Sequence, residues 1–123
     1  MAIRNEALDC PAFARLKAAY DDRRAVLAAW KSQGKKVVCI AGCDVPEEIL
    51  LAAGMLPFRV TGYYGGERKS AEKYLEYSFG AIWKGIWESI TEDYAGLMER
   101  LVFCSSSDMY LKLFYYLRTL DRL

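Results

Sequence analysis

Four side chains in this sequence carry sulfur that could act as a nucleophile or a soft metal ligand: Cys10, Cys39, Cys43 and Cys104. Four thiols at irregular spacing in 123 residues do not make the disulfide framework of a small secreted fold. They read as reduced thiols, ligands or core filler. Histidine is absent. That absence removes Ser-His-Asp and Cys-His catalysis and the commonest zinc ligand, and it excludes more than any motif in the chain establishes.

Cys43 has the best position for chemistry. It lies in Gly42-Cys43-Asp44, directly ahead of Val45-Pro46-Glu47-Glu48, which reads as a helix start. A thiol beside the free N–H groups of a helix can have a lowered pKa, so a functional Cys43 and a structural one both stand, with no base in sight. Cys39 sits inside an apolar run and reads as core filler, Cys104 ends another such run and reads as packing, and Cys10 is incidental at the start of a surface helix. Ser105-Ser106-Ser107-Asp108 is a second candidate anion site, although the plainer reading is a helix cap. Gly65-Gly66 lacks the spacing of a phosphate-binding loop. Trp83 and Trp87 read as a packing stripe, and Glu47 and Glu48 as first-turn carboxylates favoured by the helix dipole.

These residues need elements to position them. Phe13, Leu16, Tyr20, Leu27 and Trp30 fall on one stripe and predict an amphipathic helix over 9–31, which Gly34 ends. Val37–Ala41 is a short continuous apolar run, as in a strand buried on both faces. A helix follows, capped by Asp44 or Val45, with Pro46 in its first turn and Gly54 as its stop. A second strand is expected over 57–61, then a glycine- and tyrosine-rich loop to 69. The stretch 70–98 has helical period, but Gly80 and Gly85 each cost about 1 kcal/mol relative to alanine, so a break is expected. Leu101–Cys104 reads as a third strand, and a last helix turns Leu113, Leu117 and Leu120 inward.

This alternation makes an α/β fold: a parallel three-stranded sheet with flanking helices, preceded by an amphipathic helix, in a single domain over 1–123. Ligands of such sheets bind at the carboxyl ends of the strands, so the turns after the three strands should share one rim. Three strands are few, and the rest are expected from another chain, a second copy or a longer protein. The 17 basic and 16 acidic residues nearly cancel, which gives no field for nucleic acid or an anionic membrane. No apolar run approaches a membrane span and the start lacks a secretory hydrophobic region, so a cytoplasmic protein is expected.

The run Gly42-Cys-Asp-Val-Pro-Glu-Glu-Ile-Leu-Leu-Ala-Ala-Gly-Met-Leu-Pro-Phe-Arg-Val60 resembles the opening motif of the 2-hydroxyacyl-CoA dehydratase D-component family, which includes the benzoyl-CoA reductase subunits. Its core is Pro-x-Glu-Ile/Leu, then Ala-Ala-Gly and a Pro. Tyr74 to Lys84 and Leu101 to Leu117 look like the next two blocks in order, so the likeness runs over about residues 8–120. Members are longer and built from two α/β domains, so this chain corresponds to an amino-terminal, partly flavodoxin-like or Rossmann-like portion. The resemblance implies a four-iron four-sulfur cluster, an acyl-CoA substrate, anaerobic radical dehydration or reduction in the complete enzyme, and a partner subunit. It places Ala41, Gly42, Cys43, Asp44, Ser107 and Asp108 at the substrate. The family's cluster cysteines correspond to positions within Gly80-Ala81-Ile82-Trp83-Lys84 and to Ser107, which leaves Cys104 as the nearest replacement metal ligand. A non-catalytic assembly domain, docking on a partner subunit through a sheet edge and Tyr63, Tyr64, Tyr115 and Tyr116, is the alternative.

Overall fold

The computed structural model describes residues 10–120. In chain order it contains α1 (Pro11–Asp21), α2 (Arg23–Ser32), β1 (Lys36–Ala41), α3 (Glu47–Ala52), β2 (Met55–Arg59), α4 (Lys69–Tyr74), α5 (Ala81–Glu88) with a π-helical turn Ser89–Asp93, β3 (Arg100–Phe103) and α6 (Asp108–Thr119). The strands form one sheet in the order β2-β1-β3. Both pairings are parallel, with Cys39 opposite Phe58 on one side and Leu101 on the other.

The central strand is buried from Val37 to Ala41, as a strand covered on both faces must be. Val37 and Cys39 point into the main apolar cluster with Leu27 of α2, Ala71 of α4, Ile86 and Trp87 of α5, and Leu113 and Leu117 of α6. Val38 and Ile40, which alternate with them, are buried too. β2 lies two residues earlier than the apolar run 57–61 suggests. Gly54, at φ 72°, ends α3 in the left-handed region and feeds directly into Met55. Pro57, which has no N–H to give, is tolerated because β2 is an edge strand.

The expected single helix over 9–31 is two helices. Asp22 leaves helical geometry at φ −130°, ψ 76°, and its carboxylate accepts the Ala25 N–H at 2.9 Å as the N-cap of α2. An aspartate that can bond its neighbours' backbone competes with helix continuation, and here it wins. The apolar stripe is split as a result. Leu27 is fully buried and Trp30 donates its indole N–H to Lys36 O at 3.2 Å, but α1 buries no residue, and Leu16 and Tyr20 are 72% and 80% exposed.

The expected break in 70–98 falls at Gly80, the N-cap of α5. Gly85 instead stays inside that helix, for a packing reason. A Cβ on Gly85 would stand 2.6 Å from Tyr63 N, and one on Gly62 would stand 2.2 Å from Ile82 O. Two glycines thus let the loop after β2 lie backbone against backbone on α5. The amino end of α4 is closed from α5: Glu88, 7% exposed, accepts the Ala71 N–H at 2.9 Å and the Ser70 N–H at 3.3 Å. Trp87 donates its indole N–H to Ser70 Oγ at 3.1 Å, so the tryptophan pair is packing.

Candidate functional site

Because all three strands run in one direction, the turns after Ala41, Arg59 and Phe103 leave the same end of the sheet. β1 and β3 bring their exits into direct contact. Cys104 donates its N–H to Ala41 O at 3.0 Å, and the Asp44 N–H points at Cys104 Sγ at 3.3 Å. Gly42 has φ 118°, and a Cβ there would lie 2.7 Å from Cys104 Cβ. No other residue type fits that turn. The Tyr110 ring of α6 lies against the same glycine, 3.6 Å from that Cβ position, and meets Trp83 edge-on at 4.9 Å.

Ala41, Gly42, Cys43, Asp44 and Cys104 are therefore neighbours. Ala41, Gly42 and Cys104 are buried, whereas Cys43 and Asp44 are exposed. Ser107 belongs to the same exit, but its hydroxyl accepts the Met109 N–H at 3.2 Å as the N-cap of α6. That is the plainer of its two readings. Asp108 is an exposed first-turn residue of α6.

The expectation of a lowered thiol pKa at Cys43 is reversed. α3 begins at Glu47 behind an extended Pro46, so neither Asp44 nor Val45 caps it and Cys43 stands three residues ahead of its cap. Asp44 turns its carboxylate back instead, and the Cys43 thiol donates to it at 3.3 Å. That bond and the carboxylate's charge push the Cys43 pKa up. The first turn of α3 is itself acidic, and Glu47 pairs with Arg59 at the end of β2. Arg59 was legible only as an arginine at a strand end; its pairing with Glu47 holds its own proton more tightly and spends its charge inside the rim. Tyr110, which carries no sequence signal, has its phenol pKa raised, mainly by burial.

The other cysteines behave as read. Cys39 is fully buried, and desolvation pushes its thiol up to about 12. Cys10 is exposed at the N-cap of α1, where the Phe13 and Ala12 backbone lowers its pKa. Of the tyrosines assigned to docking, Tyr64 and Tyr115 are exposed. Tyr116 donates to Glu76 at 2.8 Å and is partly buried, as is Tyr63.

The third exit faces a different hollow. Thr61, Gly62 and Tyr63 line a cavity of about 460 Å³ with Tyr20, Asp21, Arg23, Ser89, Asp93 and Tyr94. Arg23 holds this wall in place: its guanidinium donates to Thr61 Oγ1 at 3.0 Å and to Arg59 O, and lies 4.3 Å over the Phe58 ring. Sequence position gives no hint of these contacts, because their partners are 36 and 38 residues away.

With this geometry in view, one comparison is informative. Over 51 residues the chain is 39% identical to the beta subunit of (R)-2-hydroxyglutaryl-CoA dehydratase from Acidaminococcus fermentans. The match takes in 42% of this chain and spans 14% of that subunit's length. No family model matches the chain. The relationship to the dehydratase subunit is local, and it agrees with the resemblance carried by the 42–60 motif.

The donor set does not fit the iron–sulfur cluster that the resemblance implies. Such a cluster is held by four thiolates or close substitutes. The rim offers Cys43, bonded to Asp44, and Cys104, buried and accepting the Asp44 N–H. Among the described residues no group of three or more Cys, His, Asp or Glu is placed to hold a metal ion. Nor is any described helix long and apolar enough to cross a membrane.

Proposed function

We propose that this chain forms the amino-terminal wall of an acyl-CoA site in a 2-hydroxyacyl-CoA dehydratase-like assembly, and that it binds the thioester without supplying the redox centre. The observation that carries this reading is the 39% identity over 51 residues to a dehydratase beta subunit. Support comes from the rim, where Gly42 lets the β1 turn close onto Cys104 and leaves Cys43 and Asp44 exposed at the strand end, the usual ligand position of a parallel sheet. Radical dehydration or reduction then belongs to a partner subunit that holds the cluster, in a cytoplasmic, anaerobic setting.

The direct test is thermal melting with a 2-hydroxyacyl-CoA, with free CoA and with the free 2-hydroxy acid. Ligand at a hundredfold excess over Kd stabilises by about 2.7 kcal/mol, a rise of several degrees for a domain of this size. The thioester should raise Tm more than either fragment does. A Tm that none of the three moves at millimolar concentration removes the reading.

A second reading, a non-catalytic assembly domain, is favoured by α1. Its Leu16 is 72% exposed, and Ile49 and Leu51 of α3 are also exposed. Native mass spectrometry of the chain with and without acyl-CoA separates the two: association independent of ligand favours assembly alone.

A further inference from the structure

The cavity beside the β2 exit is separate from the Cys43 rim, and its chemistry is different. Its walls carry a guanidinium, Arg23, and a carboxylate, Asp93, and neither has an ion-pair partner among the described residues. Arg23 uses donors on Thr61 Oγ1 and Arg59 O, both uncharged, and its cationic face is stacked on Phe58. A guanidinium has five N–H donors, so capacity remains. Asp93 accepts the Ser89 hydroxyl at 3.1 Å. Other charges stand nearby, Arg68 among them, with its guanidinium 5.8 Å over the Tyr63 ring. Asp21 pairs with Lys17, Asp22 caps α2, and Arg24 donates to the Asp93 carbonyl oxygen.

Tyr63 and Tyr94 line the same cavity, and Tyr20, 80% exposed, stands at its edge. Burial raises the pKa of both inner phenols, so they remain neutral hydroxyls at physiological pH. The π-helical turn Ser89–Asp93 presents Ser89 and Asp93 on this wall, and π-turns inside helices recur at functional sites. The Gly62 and Gly85 contact fixes the Gly62-Tyr63 loop against α5. A simple anion would face Asp93, and a simple cation would face Arg23. A ligand carrying both charges satisfies both.

We propose that this cavity binds a small zwitterion, an α-amino acid with an aromatic or large apolar side chain, its carboxylate on Arg23, its ammonium on Asp93 and its side chain between Tyr63 and Tyr94. The inference stands apart from the thioester reading, since no residue of the Cys43 rim takes part.

Calorimetric titration with L-phenylalanine, phenethylamine and 3-phenylpropionate tests it on the intact chain. The amino acid should bind at least about tenfold more tightly than either single-charge analogue. Asp93→Asn should weaken phenylalanine about tenfold and bring it level with 3-phenylpropionate, while Tyr63→Phe, which keeps the ring, should leave the order of the three ligands unchanged. Circular dichroism and an unchanged thermal midpoint report whether each variant is folded. Equal binding of the amine and the amino acid would mark a cation site and overturn the proposal. So would equal binding of the carboxylate, or no heat from any ligand at millimolar concentration.

Discussion

Asp44 decides the chemistry of the residue before it. Its carboxylate accepts the Cys43 thiol proton and opposes the thiolate, so Cys43 should alkylate slowly at neutral pH. Asp44→Ala should speed iodoacetamide labelling of Cys43 near pH 8 several-fold and shift its pH profile to lower values; an unmoved profile would show that the carboxylate does not control the thiol. Cys39 gives a second prediction, read from stability. Its folded pKa is about 12 against an ordinary 9.0, so between these values the unfolded chain binds fewer protons than the folded one. Its contribution is therefore intact below pH 9 and is lost as pH rises towards 12, at no more than about 1.4 kcal/mol per pH unit. Buried tyrosines act in the same direction, so the check is a difference: urea midpoints of Cys39→Val should fall less steeply above pH 9 than those of the parent. At this scale the sequence was partly legible. Cys39 in the middle of an apolar run read as core, and it is buried. Cys43, by contrast, depended on where the helix after it begins, and one extended Pro46 moves that start away from the thiol.

The elements were legible wherever a run of apolar residues fixed them. β1, β3 and α6 follow the sequence pattern closely, because Val37–Ala41 and Leu101–Phe103 offer no alternative and Leu113 and Leu117 sit one turn apart on the core face. Helix 9–31 was misread because periodicity counts apolar positions and is blind to Asp22, whose side chain ends one helix and starts the next. Contacts between elements were not legible at all, and two of them support predictions. Gly85→Ala should improve helix propensity by about 1 kcal/mol but lose more than that, with a net cost of about 1–2 kcal/mol, because the new Cβ meets the Tyr63 backbone rather than a movable side-chain end. Gly80→Ala, where the nearest atom is Trp83 Cδ1 at 3.8 Å, should change stability by less than 1 kcal/mol, and chemical denaturation of the pair measures the contrast. Glu88→Ala strips the carboxylate from two backbone N–H groups at the start of α4 and should cost about 2–3 kcal/mol. A denaturation midpoint equal to the parent's would mean that water replaces Glu88 without loss.

For the whole molecule, the parallel order of the strands was inferred from alternation alone, and it is what gathers Gly42, Cys43 and Cys104 at one rim. The hollow lined by Arg23 and Asp93 was invisible, since its walls come from three separate stretches of chain. With no thiol constellation for a cluster among the described residues, the isolated chain purified without oxygen should be colourless and hold far less than one iron per chain, as elemental analysis would show. The break at Asp22 has a further consequence for how the fold comes apart. With no buried side chain of its own, α1 can unwind while the sheet and α2, α4, α5 and α6, each of which buries a residue, stay cooperative, so its amides should exchange with solvent long before those of β1. Tyr20 and Asp21 would leave with it, so the outer lip of the cavity opens at a free-energy cost far below that of global unfolding.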